Sequence, residues 1–216
     1  MLGLAALAAW GIAGPDDRLG PRPPAEQPAL ALLTSLPLLF GESFGLESGG
    51  SPALSRLEER YKLVPIAVAD AASLKDQKLL LMAHPRAQPA EVLVELDQWV
   101  RDGGRLLLLA DPRLDWPSER PLGDKLRPPP AFADTGLLMH WGLALAGPEP
   151  ASRETAGRLT SSGACSVEDA GLVARCRIGR GEATIIADAD FLNIEPGGGD
   201  ESLDLLVNEL DRLDSR

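Results

Sequence analysis

The hydrophobic positions of this chain fall into short unbroken runs separated by stretches with helical spacing. Ala29-Leu30-Ala31-Leu32-Leu33, Leu79-Leu80-Leu81-Met82-Ala83 and Leu106-Leu107-Leu108-Leu109-Ala110 contain no alternating polar residue. A strand that is apolar on both sides is buried on both sides, as in a parallel sheet covered by helices. Leu63 to Val68 predicts another strand. Glu182 to Ala187, apolar through Ile185 and Ile186, predicts the last one. Between the runs, Val92, Leu93, Leu96, Trp99 and Val100 share a helical face, in a stretch that opens near Pro89 and stops at Asp102-Gly103-Gly104. Ser51-Pro52 opens an earlier helix, with serine as cap and proline at the first helical position, running to about Tyr61. Leu203, Leu206, Val207 and Leu210 mark one face of a final helix from about Asp200 to Leu213. Short connections between strand, helix and strand predict parallel pairing through right-handed crossovers.

The expected fold is therefore α/β, a mostly parallel twisted sheet with helices on both faces. Thr135 to Leu145 reads as a short helix carrying His140 and Trp141. Leu159 to Ile178 reads as an inserted β-hairpin with Glu168-Asp169-Ala170-Gly171 at its turn.

Three regions divide the chain. Residues 1–14 carry no charged side chain and hold Leu2, Leu4, Leu7, Trp10 and Ile12 among alanines and glycines. The run is shorter than the roughly 20 apolar residues of a membrane span, and suits a signal segment or part of a longer membrane anchor. A helix packed on its own domain is the alternative. Residues 15–28, with Pro15, Pro21, Pro23, Pro24 and Pro28, predict a stiff linker. Residues 29–216 form the single α/β domain, for which the length suffices.

The formal net charge of -11 and the lack of any lysine–arginine cluster argue against nucleic acid and against docking on anionic lipid through a basic patch. Aromatic residues make up only 4%, so Leu, Ala, Val and Ile must fill the core.

Candidate chemistry is sparse. Asp111 ends the Leu106–Ala110 strand, and Asp188 and Asp190 follow the last strand. Carboxyl ends of parallel strands form the ligand crevice of such sheets, and three acids there could hold a hard cation such as magnesium. Capping of loops and helix starts by the same acids is the alternative. His84 closes a strand but has no serine or cysteine elbow beside it, and His140 sits next to Trp141. No spacing suggests zinc. No phosphate loop is present; Gly197-Gly198-Gly199 lacks the Lys-Ser/Thr that would follow. No cofactor is expected. The loop from Asp111 to Pro130 is long for a compact domain, and Trp116, Pro128, Pro129 and Pro130 are candidates for a partner surface. Packing of Trp116 over its own loop is the alternative. Cys165 and Cys176, the two cysteines, lie symmetrically about the predicted turn. A hairpin folded about Ala170 and Gly171 places them opposite each other, within reach of a disulfide. That bridge would imply an oxidising compartment; two free thiols would not.

The order of elements, Leu79 to Pro85, the helix from Glu91 to Arg101, Gly103 to Pro112, and Asp188-Ala189-Asp190-Phe191-Leu192, resembles the auxiliary domains of ABC-type transport systems. These are the gliding-motility-type and DUF4350-like relatives of the class I glutamine amidotransferase fold. The resemblance covers about residues 29–213 and implies an amidotransferase-like, flavodoxin-like sheet. It also shows what is missing. Asp111-Pro112 stands where amidotransferases place the cysteine elbow. Cys165 lies in Gly163-Ala164-Cys165-Ser166-Val167, which is no elbow, and the region of Asp188 to Asp190 replaces the His-x-Glu of the triad. The resemblance thus implies a non-catalytic accessory domain, extracytoplasmic and membrane-linked through its N-terminal segment, with transporter permease and ATPase subunits as partners. A degenerate or metal-dependent hydrolase using Asp111, Asp188 and Asp190 is the alternative.

Overall fold

The computed structural model describes residues 20–39, 50–149, 156–194 and 201–215. The predicted signal or anchor segment (1–14), the start of the linker and the Gly197–Gly199 loop lie outside them.

The elements run β1 (Ala29–Thr34), α1 (Pro52–Glu58), β2 (Lys62–Pro65), α2 (Ala71–Leu74), β3 (Leu79–Ala83), α3 (Ala90–Arg101), β4 (Arg105–Leu109), α4 (Leu137–His140), β5 (Leu143–Ala146), β6 (Arg158–Ser161), β7 (Ser166–Glu168), β8 (Val173–Ile178), β9 (Gly181–Ile186) and α5 (Glu201–Asp214). A seven-stranded sheet has the order β2-β1-β3-β4-β9-β8-β7, and β5 pairs with β6 in a separate ribbon. The first five strands in that order are parallel; β8 and β7 extend the sheet antiparallel. The mixed α/β class and mostly parallel sheet expected from the unbroken apolar runs are both present.

Those runs are unbroken because successive side chains enter two different cores. Leu80, Met82, Leu106, Leu108, Ala183 and Ile185 pack on one face with Leu96 and Val100 of α3. Leu79, Leu81, Leu107, Leu109 and Ile186 pack on the other with Leu57 of α1 and Leu206 and Leu210 of α5. The α1 cap is as expected, Ser51 Oγ accepting from the Leu54 N–H. The β8–β9 turn presses against the end of α3. A Cβ on Gly181 would lie 2.1 Å from the Val100 carbonyl oxygen, so only glycine fits there. On the open edge of β2, Pro65 removes an N–H and Lys62 adds charge, both of which discourage further strand pairing.

Three expectations need correction. The helix predicted over 135–145 is one turn only. Gly142, at φ +76°, breaks it, and Leu143–Ala146 is a strand. The predicted hairpin begins later than Leu159, because Arg158–Ser161 pairs with that strand instead; the true hairpin is β7–β8. The stretch before β1 is no free linker from Gly20 onward. The Arg22 N–H donates to the Glu59 carbonyl, and its guanidinium pairs with Asp211 at 2.9 Å and Asp214 at 3.2 Å. Asp211 also accepts from buried Arg60 and from the Tyr61 hydroxyl, which ties the segment, α1 and α5 into one cluster.

Candidate functional site at the carboxyl ends of the strands

β4 and β9 are adjacent and parallel, so their following residues meet at one edge of the sheet. This brings Asp111, Asp188 and Asp190 together, with one oxygen of each within 4.8 Å of the others. The hydrogen bonds show what they do there. Asp111 is fully buried, and its two oxygens accept from the backbone N–H groups of Arg113 (2.8 Å) and Ala189 (3.0 Å). Asp188 accepts from the Asp190 N–H at 2.8 Å, and Asp190 from the Asp115 N–H at 2.8 Å. The three acids stitch the loops after β4 and β9 to each other. Burial pushes the Asp111 carboxyl up to about 6, against the pull of its two N–H donors and with a further push from Asp190 and Asp188. Burial also raises Asp188.

A segment from Pro112 to Ala131 leaves β4 and returns across the strand ends. Its two arms are joined by the Leu114 N–H donating to the Pro130 carbonyl at 3.0 Å, and Phe132 closes it by donating to the Asp111 carbonyl. Arg86, just past β3, donates to the carbonyls of Lys125 and Arg127 at 2.6 Å each. His84, at the end of β3, is wholly buried beneath this strap, with its imidazole Nε2 2.9 Å from the Pro129 carbonyl oxygen. In open parallel sheets this end, near the reversal of strand order that here falls between β1 and β3, is where ligands bind. The chain lays its own proline-rich segment over it.

Among the partner-surface candidates, Trp116 packs against the core layer of α1 and α5, and Pro128 is buried. Pro129 turns its carbonyl to His84, and Pro130 is exposed. The outward apolar groups of the strap are Leu122, 84% exposed, and Leu126, 57% exposed. Sequence reasoning passed over them because a leucine among polar residues signals nothing alone. A second apolar surface was also missed. A groove of about 350 Å³ between α3 and α4, lined by Leu93 and Leu137, lies beside exposed Val94 and Met139. The signal was the third apolar residue in Val92-Leu93-Val94, one more than the buried stripe of α3 uses. His140 is exposed at the rim of this groove, whereas Trp141 is buried and donates to Asp97 at 2.8 Å.

Cys165 and Cys176 form a disulfide, with Cα atoms 4.2 Å apart. The register pairing Ser166 with Arg175 carries on to place the two cysteines opposite each other, as the symmetry about the turn predicts. Neither sulfur is available as a thiolate nucleophile. No helix among the described residues is long and apolar enough to cross a membrane.

The fold and site together define a doubly wound α/β domain with a disulfide-tied antiparallel extension and a strap across its strand ends. No family model matches the chain, and no curated protein matches it. Several solved structures are similar at low identity. The mmIFT52 N-terminal domain shares 13% identity at a TM-score of 0.48, over 76% of this chain and 87% of that one. The cytoplasmic protein STM3548 from Salmonella typhimurium shares 10% at 0.48, over 87% and 98%. The GH42 β-galactosidase Gan42B shares 15% at 0.46, over 89% of this chain but 30% of that enzyme. The chain likewise spans 31% of an exo-β-1,4-mannosidase from an Opitutaceae bacterium, at 16% identity and a TM-score of 0.40. Identities this low carry no activity, substrate or partner over to this chain.

Proposed function

We propose that this chain is a non-catalytic binding domain on the extracytoplasmic side of a membrane, an accessory to an ABC-type transport system with a sheet of the class I glutamine amidotransferase type. The disulfide carries the reading. Bridges between cysteines persist in oxidising compartments and are rare in the cytosol. The rest of the site supports binding over catalysis. Both cysteines are committed to the bridge, His84 is shut beneath the strap, and Asp111 gives both oxygens to backbone donors. The exposed Leu122 and Leu126 at the strap tip supply the contact for a permease or ATPase-linked subunit. The test is photo-crosslinking from position 122 in native membranes, with position 62 on the opposite edge as control. Capture of a transporter subunit from 122 and not from 62 is the expected result. Equal or no capture from both overturns it.

A second reading, a metal-dependent hydrolase, has one observation in its favour: the three carboxylate oxygens within 4.8 Å. Titration with magnesium or manganese separates the two. Saturable binding lost in D111N supports the hydrolase.

A further inference from the structure

His84 combines features that a buried histidine rarely holds together. Its φ of +45° lies in the left-handed region, where a side chain is strained. Its position is nevertheless fixed on every side. The backbone N–H donates to the Leu109 carbonyl at 3.0 Å, and the carbonyl accepts from Ser35 Oγ. The Pro129 carbonyl is an acceptor only, so the Nε2 facing it carries the proton. The neutral ring then leaves Nδ1 as a bare lone pair. Nδ1 is buried, and no hydrogen-bond partner lies in reach among the described residues.

The groups around it give no welcome to a second proton. From its own turn comes Arg86, a cation that grips the strap through Lys125 and Arg127. From the end of β1 comes the neutral Ser35. The strap presents the Pro129 carbonyl; its charged residues are the cations Arg113, Arg120, Lys125 and Arg127 and the acids Asp115, Glu119 and Asp124, and of all these charges it is Arg86 that acts on the His84 ring, against a second proton. The carboxylates at the neighbouring strand ends, Asp111, Asp188 and Asp190, turn to the backbone N–H groups of Arg113, Ala189, Asp190 and Asp115.

We propose that residues 112–131 form a strap that closes over the carboxyl ends of β3, β4 and β9 only while His84 is neutral, and that acid releases it. Protonation at Nδ1 would place an N–H without an acceptor, and a whole charge, in a buried site next to Arg86. Opening the strap hydrates the ring and removes that conflict. Burial, then Arg86, holds the His84 pKa below the ordinary value, while the Pro129 hydrogen bond opposes them. Closure is therefore fully favoured above the ordinary histidine pKa. It weakens as pH falls toward the depressed value, by up to tenfold per pH unit for one proton. The outcome is a pH-sensitive cover on the face where this class of sheet binds ligands.

The experiment is hydrogen exchange of the Leu114 amide, which bridges the two strap arms, from pH 7.5 to 5.0, with protection corrected for intrinsic exchange. The wild type is compared with H84Q, whose amide can donate to Pro129 but does not titrate. The expected result is wild-type protection that falls, relative to H84Q, by up to tenfold per unit below about pH 6.5. Identical profiles in the two proteins overturn the proposal. Should H84Q fail to fold, the titration of the His84 ring by nitrogen-resolved NMR in the wild type decides, measured against the ordinary histidine value of about 6.5. A midpoint below that value, with the proton on Nε2 in the neutral form, supports the latch. A midpoint at or above that value overturns it.

Discussion

Glu209 of α5 and Arg175 of β8 hold each other through two hydrogen bonds, one of them 3.1 Å from Nε, in a pair where the carboxylate is nearly sealed from solvent. Arg212 joins them, bonding Glu209 at 3.0 Å and reaching Glu182 and Thr184 on β9. Glu168 takes the remaining arm of Arg175. The network clamps the last helix onto the antiparallel end of the sheet, where the apolar runs of the parallel strands no longer supply contacts.

Removing the charge of Glu209 would leave two arginines short of a partner in a partly buried site. We expect E209Q to lose about 3 kcal/mol, read from urea unfolding. The pH response has a definite sign. Burial raises the Glu209 carboxyl, but the hydrogen bonds from Arg175 and Arg212 outweigh it and hold it below the ordinary value. Its stabilisation is present above the ordinary glutamate pKa and is lost as pH falls through the depressed one. E209Q should lack that acid loss. A variant within 0.5 kcal/mol of the wild type, about the range of a neutral surface change, would mean the network is ornamental.

Asp111 should behave in the opposite sense. Its pKa is raised to about 6, so the folded state favours the protonated acid, and its contribution is full below the ordinary value of 3.8 and lost as pH rises through 6. Carboxyl carbon NMR should find one aspartate titrating near 6, missing from D111N. A titration near the ordinary value would mean that the backbone donors of Arg113 and Ala189 outweigh burial.

Trp116 and Leu122 lie six residues apart on the strap and should part company on mutation. Trp116 packs against the core, so W116A should cost about 2 kcal/mol or more through lost burial. Leu122 is 84% exposed, so L122D should leave stability within about 0.5 kcal/mol while abolishing photo-crosslinking of the proposed partner from position 126. Thermal unfolding of the two variants checks this, and equal losses would show the strap tip to be packed.

The parts of the fold readable from the sequence are those whose physics is local. Unbroken runs such as Leu106–Ala110 announce two-sided burial, and Ser51-Pro52 announces a helix start. The cysteine pair was readable because a turn lies midway between its members. What could not be read depends on distant partners. Nothing in Pro21-Arg22-Pro23 shows that Arg22 meets Asp211 and Asp214, 189 and 192 residues later. Leu143-Ala144-Leu145-Ala146 alternates like a strand, but its partner strand follows only after a gap, and the preceding Leu137-Leu138 made a helix the simpler reading. Asp111, Asp188 and Asp190 were placed at the strand ends correctly. Their engagement by backbone donors follows from loop paths that no residue pattern encodes.

The proposed oxidising, extracytoplasmic location rests on the Cys165–Cys176 bridge, whose state can be measured directly. Protein taken from its native host is alkylated before and after reduction and analysed by mass spectrometry. Both cysteines are expected to alkylate only after reduction, with their peptides joined until then. Full alkylation of both thiols without reductant would contradict the bridge and the location inferred from it.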